Sequence, residues 1–115
     1  MLAWEALERA EAEATGRQEL YFEPLIWQLR GTLYLQEKDA AQAEACWRKG
    51  LLAARRQKAR LWELRLAAAL SRLWQELGRA AAAVPLLTGV LHWFEAEENV
   101  PELRAARSLC TALSS

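Results

Sequence analysis

Between Glu23 and Leu51 two apolar stretches flank one polar break, Glu37-Lys38-Asp39, and this arrangement restricts the chain more than any other feature. On both sides of the break apolar residues recur at three- and four-residue spacing, the period of a helix buried along one face. A break this short leaves room only for a tight turn, so the two helices fold back antiparallel. Large residues at Trp27, Tyr34 and Trp47 alternate with small ones at Gly31, Ala43 and Gly50. Such alternation lets two helix backbones approach closely and interlock.

The rest of the chain follows the same pattern. Ala, Leu, Glu and Arg dominate, all strong helix formers, glycine and proline are scarce, and no run alternates as a strand does. The expected fold class is all-α, with about six helices in one domain spanning 1–115. A chain of 115 residues buries roughly two-thirds of its unfolded surface, enough for a core without staples. The first helix is expected over 2–15, stopped by Gly16. It carries a narrow, alanine-rich stripe that suits the second helix of a pair lacking its first. The second helix starts near Leu20 to Glu23, with Pro24 in its first turn, and ends near Gln36. It is apolar over most of its circumference, so neighbours are expected on two sides. Asp39 caps the third helix, helped by Gln42, and that helix runs to about Gln57. These two form a helix pair over 20–57. A second pair spans 61–97, with helices from Leu61 to Leu77 and from Ala80 to about Glu97, the latter kinked or delayed by Pro85. Asn99-Val100-Pro101-Glu102 opens a terminal helix over 101–113.

Acidic and basic residues balance to a net charge of zero, which argues against a general nucleic-acid or membrane-surface binder. No apolar run approaches the ~20 residues of a membrane span, and Met1-Leu2-Ala3-Trp4-Glu5 lacks the basic start of a signal peptide. Cys46 and Cys110, far apart in helical patterns, read as the reduced thiols of a cytoplasmic protein. His92 is the only histidine and has no second ligand nearby, so neither a metal site nor a catalytic triad is assembled. The carboxylates Glu5, Glu8, Glu11 and Glu13, and Glu95, Glu97 and Glu98, fall at helical spacing as solvated faces rather than acid–base pairs. The basic run Arg55, Arg56, Lys58, Arg60 reads as a solvated helix end. No catalytic residue, cofactor or metal ligand is therefore expected, and the chain is not expected to be an enzyme.

Gly78 laid on Lys38 brings the chain onto itself. Trp74 then falls on Tyr34, Ser71 on Gly31, Ala83 on Ala43, Leu87 on Trp47 and Val90-Leu91 on Gly50-Leu51. Self-similarity at such a period is the mark of a helical-repeat array. Trp27, Gly31, Tyr34, Ala43, Trp47 and Gly50, with the weaker set Ser71, Trp74, Gly78, Ala83, Leu87 and Val90, resemble the tetratricopeptide repeat. Arg30 stands where that family has Leu, no proline closes the first repeat, and the period of ~40 exceeds the family's 34. A narrower likeness is carried by Ala54-Arg55-Arg56-Gln57-Lys58-Ala59, Trp62-Glu63-Leu64-Arg65-Leu66-Ala67, Ser71-Arg72-Leu73-Trp74, Gly78-Arg79, Leu86-Leu87, Val90 and Trp93-Phe94. These are similar to the C-terminal repeats of large bacterial signalling ATPases. The first unpaired helix and the terminal helix fit the end of such a tail.

The resemblance implies a short right-handed α-solenoid that binds a protein or peptide, as the sensing or recruiting tail of a signalling protein. The first helix of each pair would line its groove through Gln28, Thr32, Leu35 and Gln36, then Arg65, Arg72, Gln75 and Glu76. A terminal helix or a neighbouring subunit filling that groove is the competing expectation. The rival function is self-association, with Leu2, Trp4 and Leu7 at one end and Leu109 and Leu113 at the other pairing two copies into a homodimer. No nucleic-acid or membrane partner is expected.

Overall fold

A computed structural model describes Trp4, residues 17–94 and residues 100–114 of the protein. The expected first helix therefore lies outside the described residues, apart from Trp4, which is helical. Among the described residues there are five helices and no strand: α1 (Arg17–Gln36), α2 (Ala40–Gln57), α3 (Arg60–Glu76), α4 (Ala80–Leu91) and α5 (Pro101–Ser114). The all-α class holds.

One start and one end differ from expectation. Helix α1 begins at Arg17, so Pro24 lies well inside it rather than in its first turn. Gln18, Glu19 and Leu20 are good helix formers and carry the helix upstream of the proline. The ring of Pro24 is buried, which offsets part of the lost backbone bond. Helix α4 closes at Leu91 rather than near Glu97. Beyond it the bonds shorten to Trp93 N–H onto Val90 at 3.1 Å and Phe94 N–H onto Leu91 at 3.0 Å. These three-residue closures mark the fraying of an α-helix into a tighter turn. Residues 95–97 of the expected helix lie outside the described residues.

Three helix ends share one construction. Lys38, Lys58 and Gly78, twenty residues apart, take φ of 65°, 56° and 76°. At each, the N–H of the left-handed residue reaches back three positions: Lys38 to Leu35 at 2.9 Å, Lys58 to Arg55 at 3.2 Å and Gly78 to Gln75 at 3.1 Å. The next N–H reaches back five: Asp39 to Tyr34 at 2.9 Å, Ala59 to Ala54 at 2.9 Å and Arg79 to Trp74 at 2.6 Å. This is the Schellman motif, which satisfies the last carbonyls of a helix and turns the chain sharply.

The chain divides into two compact units, Met1–Ala59 and Arg60–Ser115. In the first, α1 and α2 pack along their length. Gly31 of α1 lies against the indole of Trp47, and an added Cβ would come 2.5 Å from Cδ1 and 2.7 Å from Cε2 of that ring. Ala43, Cys46, Trp47, Gly50, Leu51, Ala53 and Ala54 are buried on α2. Trp4 meets Tyr34 edge to face at 4.9 Å between ring centres. Among the described residues α2 and the Trp4 ring pack on α1, and Leu29 and Leu35 remain exposed.

In the second unit α3 packs on α4, and α5 packs on both. Leu64, Leu66, Leu70, Leu87, Val90 and Leu103 are its largest enclosed side chains. Ser71, fully buried, occupies the position equivalent to Gly31.

Candidate interaction surfaces

The expected groove residues fall in both units. On α1, Leu35 and Gln36 are exposed at the helix end. Gln28 offers a backbone carbonyl that accepts from the Thr32 hydroxyl at 3.0 Å and from the indole N–H of Trp47 at 3.1 Å. The Thr32 hydroxyl is therefore engaged within its own helix. On α3, Arg72, Gln75 and Glu76 are exposed and lie in the last turns. Arg65 is placed differently. Its guanidinium donates to the Glu102 carboxylate at 3.0 Å and stands 4.8 Å from the centre of the Trp62 ring. The N-terminal turn of α5 thus sits over the flank of α3 that carries Arg65. The hydrogen bond from Arg65, followed by the bond from its own backbone N–H, holds the Glu102 carboxyl below its ordinary pKa.

Of the residues expected at the chain ends, Leu2 and Leu7 lie outside the described residues. Trp4 is half-buried, and its indole N–H donates to Glu37 at 2.7 Å. Leu109 and Leu113 are half-buried on α5.

Cation–tryptophan pairing is the feature that sequence reasoning missed. Arg60 lies 3.8 Å from the Trp93 ring, Lys49 4.9 Å from Trp27, Arg79 5.4 Å from Trp74, and Arg30 5.9 Å from Trp27 and 6.0 Å from Trp4. Each such pair contributes about 0.5–1 kcal/mol at an exposed site. The signal was available for Trp27/Arg30 and Trp62/Arg65, which stand three apart on a helix, and absent for Lys49/Trp27, which meet across two helices. Arg60 is held from behind by Glu63, a buried carboxylate 3.2 Å away. The Arg60 guanidinium thus stands between the buried Glu63 carboxylate and the exposed Trp93 ring at the start of α3.

One groove lies within the first unit. Glu23, Trp27, Lys49, Leu52, Arg55 and Arg56 line about 440 Å³ between α1 and α2. Arg56 bridges to Glu23 at 3.2 Å. Trp27 in turn donates to Glu23 at 3.3 Å.

Elsewhere, Cys46, which is buried, and half-buried Cys110 are not joined in a disulfide. No group of three or more His, Cys, Asp or Glu stands together to hold a metal among the described residues, and no helix among them is long and apolar enough to cross a membrane. Comparison with protein-family models, with curated proteins and with solved structures finds no match.

Proposed function

We propose that the chain is a non-catalytic protein-interaction module of the tetratricopeptide type, a short right-handed α-solenoid of about six helices. One observation carries the reading. The turn inside each helix pair makes the same two closing backbone bonds, from Lys38 to Leu35 and Asp39 to Tyr34 in one and from Gly78 to Gln75 and Arg79 to Trp74 in the other, forty residues on. The packing positions follow the same step: Gly31 and Ser71, Ala43 and Ala83, Trp47 and Leu87, Gly50 and Val90 are all buried. A repeated joint with a repeated core is what stacked helix pairs require.

The surface proposed to meet a protein or peptide is the outward flank of the first helix in each pair. Leu35 and Gln36 in one unit, and Arg72, Gln75 and Glu76 in the other, offer amides and a guanidinium suited to a peptide backbone or carboxylate. In a larger protein this module would serve as the sensing or recruiting tail of a bacterial signalling ATPase, within the cytoplasm. Peptides selected from a displayed library on the whole chain test the reading. They should lose about tenfold or more in affinity with Arg72→Glu or Gln36→Ala. If no sequence is enriched, or both variants bind as well as wild type, the reading fails.

Self-association through the chain ends is the weaker reading, because the Trp4 ring is already packed on Tyr34 and hydrogen-bonded to Glu37 of its own chain.

A further inference from the structure

Helix α2 presents Lys49, Leu52 and Arg56 at spacings of three and four, so the three side chains share one stripe. Leu52 is 59% exposed, among the most exposed of the large apolar residues described. Across the groove α1 presents Trp27 and, one turn before it, Glu23. These stand on a different flank from the residues considered above: Thr32, five positions beyond Trp27, is roughly 140° further round the helix. The apolar lining is therefore an indole and a leucine, with cationic side chains beside them. Lys49 lies over the Trp27 ring, and Arg55 and Arg56 close the other end. Among the described lining residues Lys49, Arg55 and Arg56 are cationic and Glu23 is acidic, in a chain whose overall charge is zero.

We propose that this groove docks an acidic amphipathic peptide segment of a partner protein. A large apolar side chain of that segment rests on Trp27 and Leu52, and carboxylates about one turn to either side meet Lys49 and Arg56. The inference rests on the protein-interaction reading above but assigns a second flank and the chemistry of what fills it. The Glu23–Arg56 bridge does not block the site. Arg56 is 66% exposed, surface pairs of this kind are weak, and a guanidinium carries donors for a second carboxylate. Nucleic acid is the poorer occupant, because the cations form a short cluster broken by Leu52 and Glu23 rather than a stripe that follows a phosphate backbone. A small inorganic anion would leave Trp27 and Leu52 without a partner.

The test uses the whole chain and a fluorescein-labelled helical peptide of about a dozen residues, with Trp at its centre and Glu one turn before and after. Its two controls carry Lys in place of Glu, and Ser in place of Trp. Anisotropy should show binding of the acidic peptide that weakens as salt is added, and both controls should bind at least about tenfold more weakly. Lys49→Glu and Leu52→Ser alter exposed side chains and should keep the helical circular dichroism while losing about tenfold or more in affinity. Arg72→Glu should leave this binding unchanged. The proposal is overturned if the basic peptide binds as well as the acidic one, or if Lys49→Glu and Leu52→Ser bind like wild type. It is equally overturned if light scattering finds a dimer that Arg56→Glu dissociates, since the groove would then hold a second copy. Library peptides that depend on Arg72 while this groove stays silent would sink this inference alone. Groove binding without any Arg72-dependent peptide would sink only the flank assigned under the proposed function.

Discussion

At the scale of single residues, Gly31 and Glu102 are the two positions at which a substitution has the most direct readout. Gly31 has no space for a methyl group, because the Trp47 indole fills it and is itself fixed by its bond to the Gln28 carbonyl. Gly31→Ala should destabilise the protein by about 1–3 kcal/mol, the range for overpacking a core, and thermal unfolding followed by circular dichroism would read it. An unchanged midpoint would mean that the Trp47 ring can move aside. Glu102 is the other position. Its folded pKa lies below the unfolded one, so its contribution is present above the unfolded value and is lost as pH falls through the folded value. The tie between α5 and α3 should therefore loosen in acid, below the ordinary carboxylate range. Glu102→Gln should lose that acid dependence, which denaturant titrations at pH 7 and in acid would compare. The same slope in both proteins would assign it to other carboxylates.

At the scale of elements, the helix ends explain what sequence could and could not deliver. Asp39 was recognisable as a cap, and it does accept from the Gln42 N–H at 3.2 Å. Asp39→Ala should cost about 1 kcal/mol. The equivalent position in the second pair is Arg79, which makes no side-chain cap. Arg79→Asp should raise the melting temperature, although the gain is reduced by the loss of the Trp74 pairing. The stop at Gly78 was legible because glycine advertises a left-handed residue. The equal stop at Lys58 was the least certain boundary, since a lysine at φ of 56° gives no compositional sign of itself. Lys58→Gly should relieve that strain and stabilise the fold by up to about 1 kcal/mol, measured by urea unfolding. Pro24 misled for the opposite reason. Proline is a strong local marker of a helix start, and here the helix begins seven residues earlier with the ring of Pro24 buried inside it. The candidate groove around Trp27 was beyond reach of sequence. Its halves lie on two helices, and the face each helix turns to the other depends on a packing angle that periodicity does not encode.

At the scale of the whole molecule, each unit has its own core, one built on Trp47 against Gly31 and the other on Leu64, Leu70 and Leu87. Light scattering over a range of concentrations should give the monomer mass of 13.0 kDa for the wild type and for Trp4→Ala, because Trp4 is satisfied within its own chain. A dimer in the wild type that Trp4→Ala weakens would favour assembly through the chain ends instead.

The even spacing of Lys38, Lys58 and Gly78 also bears on how such a chain can change length. The joints at Lys38 and Gly78 each reverse the direction of travel inside one helix pair, so loss of a single helix would strip the apolar face of its partner. Gain or loss of a whole pair leaves no such face uncovered. A gene of this construction can therefore be lengthened or trimmed by duplication and deletion only in paired steps, and relatives that differ in length should differ by whole pairs.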